Sequence, residues 1–376
     1  MKKIQMVDLG GQYEKIKSEI LDSVARCIES TAYINGPAVK EFQADLEQYL
    51  GVKHVIPCAN GTDALQIAMM ALDLKRGDEV ICPAFTYVAT AEVIGLLGLK
   101  PVMVDACYDT FNIATEEIEK AITPMTKAIV PVHLYGQSAN MEHILAIAEK
   151  YNLFVIEDNA QALGCSYHFS NRQVKRTGTI GHIGCTSFFP SKNLGCFGDG
   201  GAIMTDDDTL ANKIRMIANH GQSKKYYHSI LGCNSRLDTL QAEVLKIKLK
   251  YLDEYTAARN KMADYYDTQL SSITGIEVPA RTDYSNHVFH QYTLKVKDNK
   301  RDDLKQYLED RDIPTMIYYP LPLYKQDAFV QYTPPGYLLP VTEQLCSEVL
   351  SLPIHTEYDE DILDYIVKEI KLFFKK

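Results

Sequence analysis

The sequence predicts an α/β fold: a mostly parallel sheet with helices on both faces, followed by a smaller C-terminal α/β domain. Helix-period segments and short apolar runs alternate from about residue 38 to residue 220. From Leu237 the pattern changes to one long helical stretch running toward Tyr266. A chain of 376 residues also exceeds the needs of one small core, so two domains are expected, a large one over 1–250 and a small one over 251–376.

Val39, Phe42, Leu46 and Leu50 recur at three- and four-residue spacing and mark a helix. A second helix fits Ala64 to Leu72, opening at Gly61-Thr62-Asp63. Apolar runs bounded by turn residues predict strands at Val80–Cys82, Pro101–Val104, Ala128–Val130, Leu153–Ile156, Cys185–Phe189 and Gly201–Met204, with a helix over Met141–Tyr151 between two of them. Runs of this length suit strands covered on both faces. Beyond the long helix, Gln291–Val296 alternates as a strand, Arg301–Arg311 reads as a polar-faced helix and Met316–Tyr319 as a strand. Pro334-Pro335-Gly336 marks a surface loop, and Asp361–Phe374 an amphipathic helix.

Composition narrows the function. The 39 basic and 49 acidic residues give a net charge of −10, which disfavours binding to nucleic acid or an anionic membrane by bulk charge. No stretch approaches the ~20 apolar residues needed to span a bilayer, and no early apolar run is long enough for a signal peptide. Nine cysteines without paired spacing read as free, mostly buried thiols, and the expected location is cytoplasmic. Cys-x-x-Cys and His-Glu-x-x-His are absent, so no metal site is expected.

The chemistry concentrates at two places. Ser187-Phe-Phe-Pro-Ser-Lys192-Asn-Leu-Gly195 sets one lysine in an apolar, turn-forming stretch after a strand. Glu157-Asp158-Asn159-Ala160-Gln161 supplies a carboxylate at the end of an earlier strand, where open α/β sheets place ligands. Such a pair serves pyridoxal phosphate chemistry, which needs an amine to bond the cofactor aldehyde and an acid to keep the pyridine protonated. Alone, Asp158 reads as a turn carboxylate and Lys192 as a surface residue. The flanks Phe188-Phe-Pro190 and Leu194-Gly195 instead suggest a partly desolvated amine of lowered pKa. Asn60-Gly61-Thr62-Asp63 is a loop entering a helix, equally readable as a phosphate-binding turn or as an ordinary N-cap at Thr62. Phe85-Thr86-Tyr87 offers an aromatic for ring stacking, although such residues are more often core. A nicotinamide-binding domain is excluded by the lack of Gly-x-Gly-x-x-Gly at the first strand–helix turn.

With these motifs in this order, the chain resembles the DegT/DnrJ/EryC1/StrS sugar aminotransferase family from about Val7 to the C-terminal helix. The resemblance implies a fold-type I transferase dependent on pyridoxal 5′-phosphate (PLP), built on a seven-stranded sheet in a large PLP-binding domain. By the same resemblance, Lys192 is the Schiff-base lysine and Asp158 the acid on the pyridine nitrogen. Gln161 is placed on the ring's phenolic oxygen and Tyr87 stacked on the ring, with Gly61, Thr62 and Ser187 in the phosphate cup and Asp63 beside it. Asn234 matches an asparagine that reaches the neighbouring subunit's phosphate, so a homodimer with shared sites is implied. Arg236, Tyr318 and Tyr319 are the substrate candidates.

The implied reaction moves an amino group from L-glutamate to a keto sugar carried on a nucleotide, in cell-surface polysaccharide biosynthesis. Relatives that act as dehydratases carry histidine in place of the lysine. The motifs most resemble the branch making 3-amino nucleotide sugars, UDP-2-acetamido-2-deoxy-3-oxo-glucuronate aminotransferases among them. Where those carry His-Tyr before a proline, this chain reads Tyr318-Tyr319-Pro320, which weakens the uronate assignment. A 4-keto acceptor and a non-catalytic PLP-binding regulator are the alternatives.

Overall fold

The computed structural model describes residues 3–358 and 360–375. Its main sheet is built from β1 (His54–Cys58), β2 (Glu79–Pro83), β3 (Lys100–Val104), β4 (Thr126–Ile129) and β5 (Phe154–Asp158), then β8 (Ile183–Ser187) and β9 (Gly201–Thr205). A small hairpin of β6 (Ser166–His168) and β7 (Val174–Arg176) interrupts that series. The seven strands run in the order β1-β9-β8-β5-β4-β2-β3. The pairs β8–β5, β5–β4, β4–β2 and β2–β3 are parallel, whereas β9 is antiparallel to both β8 and β1.

Helices cover both faces. On one face α3 (Gly61–Ala71), α4 (Ala89–Leu96) and α7 (Asp208–Ala218) bury Leu65, Ile94 and Ile214 against Val80, Ile156 and Ile203. On the other, α2 (Pro37–Leu50) packs Phe42 and Leu46 against Val55 and Met204, together with Leu245 of α8 (Thr239–Leu249). Farther along that face, Ile118 of α5 (Thr115–Ala121) and Ile144 of α6 (Met141–Tyr151) meet Ile81 and Val155. Full coverage explains why these strands read as continuous apolar runs rather than as alternation. The helix α1 (Leu9–Ser30) lies on α8 through Ile16 and Ile20. The short hairpin β10–β11 (Gln222–Lys224, Tyr227–His228) stands between α7 and α8.

A second core joins α9 (Leu252–Leu270) to a three-stranded antiparallel sheet of β12 (Ile276–Glu277), β13 (Tyr292–Val296) and β14 (Val349–Leu352). Helices α10 (Arg301–Glu309) and α12 (Glu360–Phe374) complete it, while α11 (Pro340–Glu348) leads into β14. Buried Arg259 of α9 fastens the helix to this core, donating from Nη1 to the carbonyls of Phe289 (3.0 Å), His290 (3.4 Å) and Ile354 (3.3 Å).

Three expectations need correction. The long helix from Leu237 is two helices, α8 and α9, divided at Lys250–Tyr251 by tightened turns in which Lys250 N–H reaches Ile247 O and Tyr251 N–H reaches Lys248 O. One part packs on the main sheet's helices and the other in the second core, so the chain bends between them. Met316–Tyr319 is not a strand: Met316 forms an isolated bridge to Ser351, and Tyr319 packs edge-on against Phe85 at 6.1 Å instead of entering a ladder. The strand expected over Cys185–Phe189 stops at Ser187, and the Phe188 side chain packs edge-on against Phe42, 5.4 Å away in the core. All nine cysteines are free, with only Cys107 and Cys233 partly exposed. Among the described residues no helix is long and apolar enough to cross a membrane.

Candidate active site

The parallel strands end along one edge of the sheet, and the turns that follow them meet there in a cavity of about 890 Å³. Asn60–Asp63 follow β1, Thr86 and Tyr87 follow β2, Tyr135 follows β4, Asp158 to Gln161 close β5, and Ser187 to Lys192 follow β8. The far wall is Tyr318–Leu321 with His290 and Gln291, which belong to the second core's segments. A cavity of this size suits a cofactor together with part of a substrate.

The start of α3 is shaped for an anion. Asn60 is the N-cap, its Oδ1 accepting from Asp63 N–H at 2.8 Å, so the cap is Asn60 rather than Thr62. Among the described residues, Gly61 and Thr62 N–H have no acceptor, and they point where a helix dipole favours negative charge. Gly61 lacks a side chain for a reason: a Cβ there would lie 2.8 Å from Cβ of Ser187. Asp63 lines the same end, but its N–H is taken by the cap and its carboxylate would repel an anion.

Lys192 hangs from a turn whose backbone is pinned on both sides. Phe188 N–H donates to Gly200 O (2.7 Å), Cys196 N–H to Phe188 O (2.8 Å) and Lys192 N–H to Phe189 O (2.8 Å). Gly195 permits that turn, since a Cβ would sit 2.3 Å from Pro190 O. The protein packed round the lysine stem lowers the Lys192 pKa to about 8, against the opposing attraction of Asp158. A larger share of the amine is therefore neutral near physiological pH than in an exposed lysine, although the ammonium still predominates.

Asp158 is buried, and burial raises its pKa. Thr90 Oγ1 donates to its Oδ2 at 2.8 Å and Ala160 N–H to its Oδ1 at 3.2 Å, both favouring the carboxylate. Gln161 is oriented without ambiguity: its Oε1 accepts from Tyr135 N–H at 2.7 Å, which turns its Nε2 donor toward Tyr319 Oη at 3.2 Å and the cavity. Tyr87 is 57% exposed and stands 6.3 Å from the Tyr319 ring, leaving one aromatic face free over the cavity.

Behind Asp158, its neighbour Glu157 holds the frame. Fully buried, it accepts from Gly178 N–H (2.8 Å), Ile180 N–H (2.6 Å), Gly181 N–H (2.7 Å) and His133 Nε2 (2.8 Å). Ala139 N–H donates to His133 Nδ1, so the ring's proton lies on Nε2 and points at Glu157. The same residue's backbone N–H bonds Asp158 O at 3.1 Å. Glu157→Ala strands four buried donors and is expected to destabilise the protein by about 3 kcal/mol or more. A lowered melting temperature checks this; an unchanged one refutes it.

Of the residues singled out from sequence, the cavity gathers Gly61, Thr62, Asp63, Tyr87, Asp158, Gln161, Ser187, Lys192, Tyr318 and Tyr319. Asn234 and Arg236 are not on its wall within one chain: Asn234 is exposed beside Asn219, and Arg236 is half-buried. Sequence reading missed Thr86, Thr90, Tyr135, His290 and Gln291. Thr86 Oγ1 and His290 Nδ1 are buried on or behind the wall without partners among the described residues. Burial, with Lys192 and Arg259 nearby, holds His290 neutral. Among the described residues no group of His, Cys, Asp and Glu is placed to hold a metal.

Comparison with known proteins shows the family and the fold. The profile of the DegT/DnrJ/EryC1/StrS aminotransferase family matches residues 14–371. The chain is 48% identical to UDP-2-acetamido-2-deoxy-3-oxo-D-glucuronate aminotransferase of Pseudomonas aeruginosa over 95% of its length and 96% of the relative's. It is 46% identical to a pleiotropic regulatory protein of Geobacillus stearothermophilus over 99% of both chains. Among solved structures it is similar to NtdA of Bacillus subtilis with bound cofactor PMP, with TM-score 0.92 and 34% identity, covering 100% of this chain and 86% of that one.

Proposed function

The chain belongs to the DegT/DnrJ/EryC1/StrS aminotransferase family, and from that premise we propose that it transfers an amino group from L-glutamate to a nucleotide-linked 3-keto hexose or hexuronate, using PLP. The observation that carries the reading is the meeting of Lys192, Asp158 and Gln161 around one cavity whose α3 end offers two free amides. These residues fit the cofactor. Gly61, Thr62 and Ser187 would hold its phosphate, Asp158 its ring nitrogen, Gln161 Nε2 its phenolic oxygen and Tyr87 its ring face, with Thr86 Oγ1 a free donor nearby. When bound, PLP supplies an aldehyde that takes up an amine and a ring that withdraws electrons.

Each residue then has a physical task. Lys192, its pKa lowered by burial, would be the amine that holds the cofactor aldehyde and would serve as the base for moving a proton at the reacting carbon. Asp158 would keep the ring nitrogen protonated by presenting a charge from a buried carboxylate. The name of the Pseudomonas relative supports amination at the third ring carbon. Tyr318 stands on the wall with a neutral phenol and no charge to offer a uronate. The only cation on the wall among the described residues is Lys192, so an anionic substrate group must be met from elsewhere, and Arg236 of a second subunit is the candidate. The reading therefore includes a homodimer, with Asn234 and Arg236 serving the neighbouring site, and a cytoplasmic enzyme whose cofactor lies in residues 1–250.

Mixing the PLP-loaded protein with L-glutamate should bleach the cofactor's visible absorbance, and one keto nucleotide sugar from a 3-keto and 4-keto panel should restore it. Light scattering should give twice the chain's mass. Restoration by a 4-keto sugar alone would overturn the position assigned. A band indifferent to glutamate would favour a cofactor-binding protein without turnover, and the Geobacillus relative is named a pleiotropic regulatory protein; a monomer would remove the shared site.

A further inference from the structure

We propose that Thr90 is a positioning residue for this reaction: its hydroxyl holds Asp158 in the ionised form and fixes which carboxylate oxygen faces the cavity. The inference rests on the reading in which Asp158 meets the cofactor's ring nitrogen.

Thr90 is wholly buried in the first turn of α4, whose sequence Ala89-Thr-Ala-Glu-Val-Ile-Gly-Leu96 is otherwise apolar apart from Glu92. A hydroxyl in such a place needs a partner. A helical threonine commonly bonds a carbonyl in its own preceding turn. This one instead reaches across to another element, donating to Asp158 Oδ2 at 2.8 Å from the end of β5. Because carboxylate oxygens only accept, the hydroxyl proton must lie in that bond.

The consequences are geometric and electrostatic. Oδ2 is tied to Thr90 and Oδ1 to Ala160 N–H, so the carboxylate cannot rotate freely and its remaining lone pairs have fixed directions. The surroundings pull its charge in opposite senses. Burial disfavours the anion, while Thr90, Ala160, Lys192 and His133 favour it, in that order after burial. The other titratable neighbours are Cys185 and Tyr319, whose own ionisation Asp158 opposes, and Glu157, whose charge is spread over four donors. Of the two hydrogen-bond donors to the Asp158 carboxylate among the described residues, Thr90 is the closer and the only side chain. Removing it lifts the carboxyl pKa, so the ionised form is lost at a higher pH as pH falls.

The test compares Thr90→Val, which keeps the shape, with Thr90→Ser, which keeps the hydroxyl, and uses Asp158→Asn as reference. Two quantities are read: the pH profile of kcat/KM, and the PLP dissociation constant of the apoprotein across the acid limb of that profile. Thr90→Val should move the acid limb up by about one pH unit, which is a loss of about tenfold on that limb. It should weaken PLP binding in the same pH range, and Thr90→Ser should restore both. Should the valine protein fail to fold, Thr90→Ala is read in its place. If the limb and the PLP constant match wild type while Asp158→Asn is impaired, the role of Thr90 is wrong. If Asp158→Asn itself binds PLP and turns over normally, the underlying reading of Asp158 is what fails.

Discussion

Lys192→Ala protein is expected to bind PLP without covalent attachment and to lose multiple turnover by a factor of about 10⁴ or more. The loss follows from one side chain having two tasks. Among the described residues the Lys192 amine is the only one on the cavity wall, and its pKa is lowered to about 8 by the protein around its stem. Above that pH the amine is mainly neutral and nucleophilic; below it the ammonium accumulates and cannot attack. In the wild-type apoprotein the rate of PLP capture should therefore rise as pH passes upward through about 8 and then level off. The alanine variant should show no such phase. Binding itself should survive, because the α3 amides, Asp158, Gln161 and the Tyr87 face are untouched. Stopped-flow absorbance distinguishes the two proteins. Sustained turnover by Lys192→Ala, or a capture rate flat across pH 7–9 (about one unit either side of the shifted value), would remove Lys192 from the chemistry.

The difference between what sequence reveals and what it hides is clear at this site. Lys192 and Asp158 stand in segments with unusual composition, a lysine among apolar residues and an acid at a strand's end, so each carries a local signal. Six of the seven strands follow from the same kind of signal, because strands buried on both faces must be apolar throughout; β1 is not among those runs, and the count of seven comes from the family resemblance alone. Thr90 has no such mark. It matters only because the crossover through α4 returns it to β5, 68 residues away in sequence. His290 and Gln291 reach the wall from the second core, a juxtaposition that spacing along the chain cannot express. The Tyr318-Tyr319 segment misled in the opposite direction: its aromatic, strand-like composition serves contacts with Phe85 and Tyr87 rather than a ladder. The break at Lys250–Tyr251 carries neither glycine nor proline and is imposed by packing two helices on two cores.

Asp158→Asn is expected to keep the fold and lower kcat by about 10²-fold or more. Asparagine occupies nearly the same volume, and its surroundings can rearrange to suit an amide. Ala160 N–H can still donate to the one oxygen, while the Thr90 hydroxyl, donor and acceptor alike, can turn to receive an N–H. No buried group is stranded, so the melting temperature should stay close to that of wild type. What disappears is charge. A neutral amide cannot hold a proton on a pyridine nitrogen as a carboxylate does, and at a buried position the difference is large. The effect should fall on kcat more than on KM, because the charge is needed where electrons move rather than where the sugar is gripped. Steady-state kinetics with glutamate and the restored acceptor, alongside a thermal melt, measure both arms. Near-normal kcat in a folded Asp158→Asn protein would mean that the ring nitrogen is served by another group and that Asp158 is not the acid of this cavity.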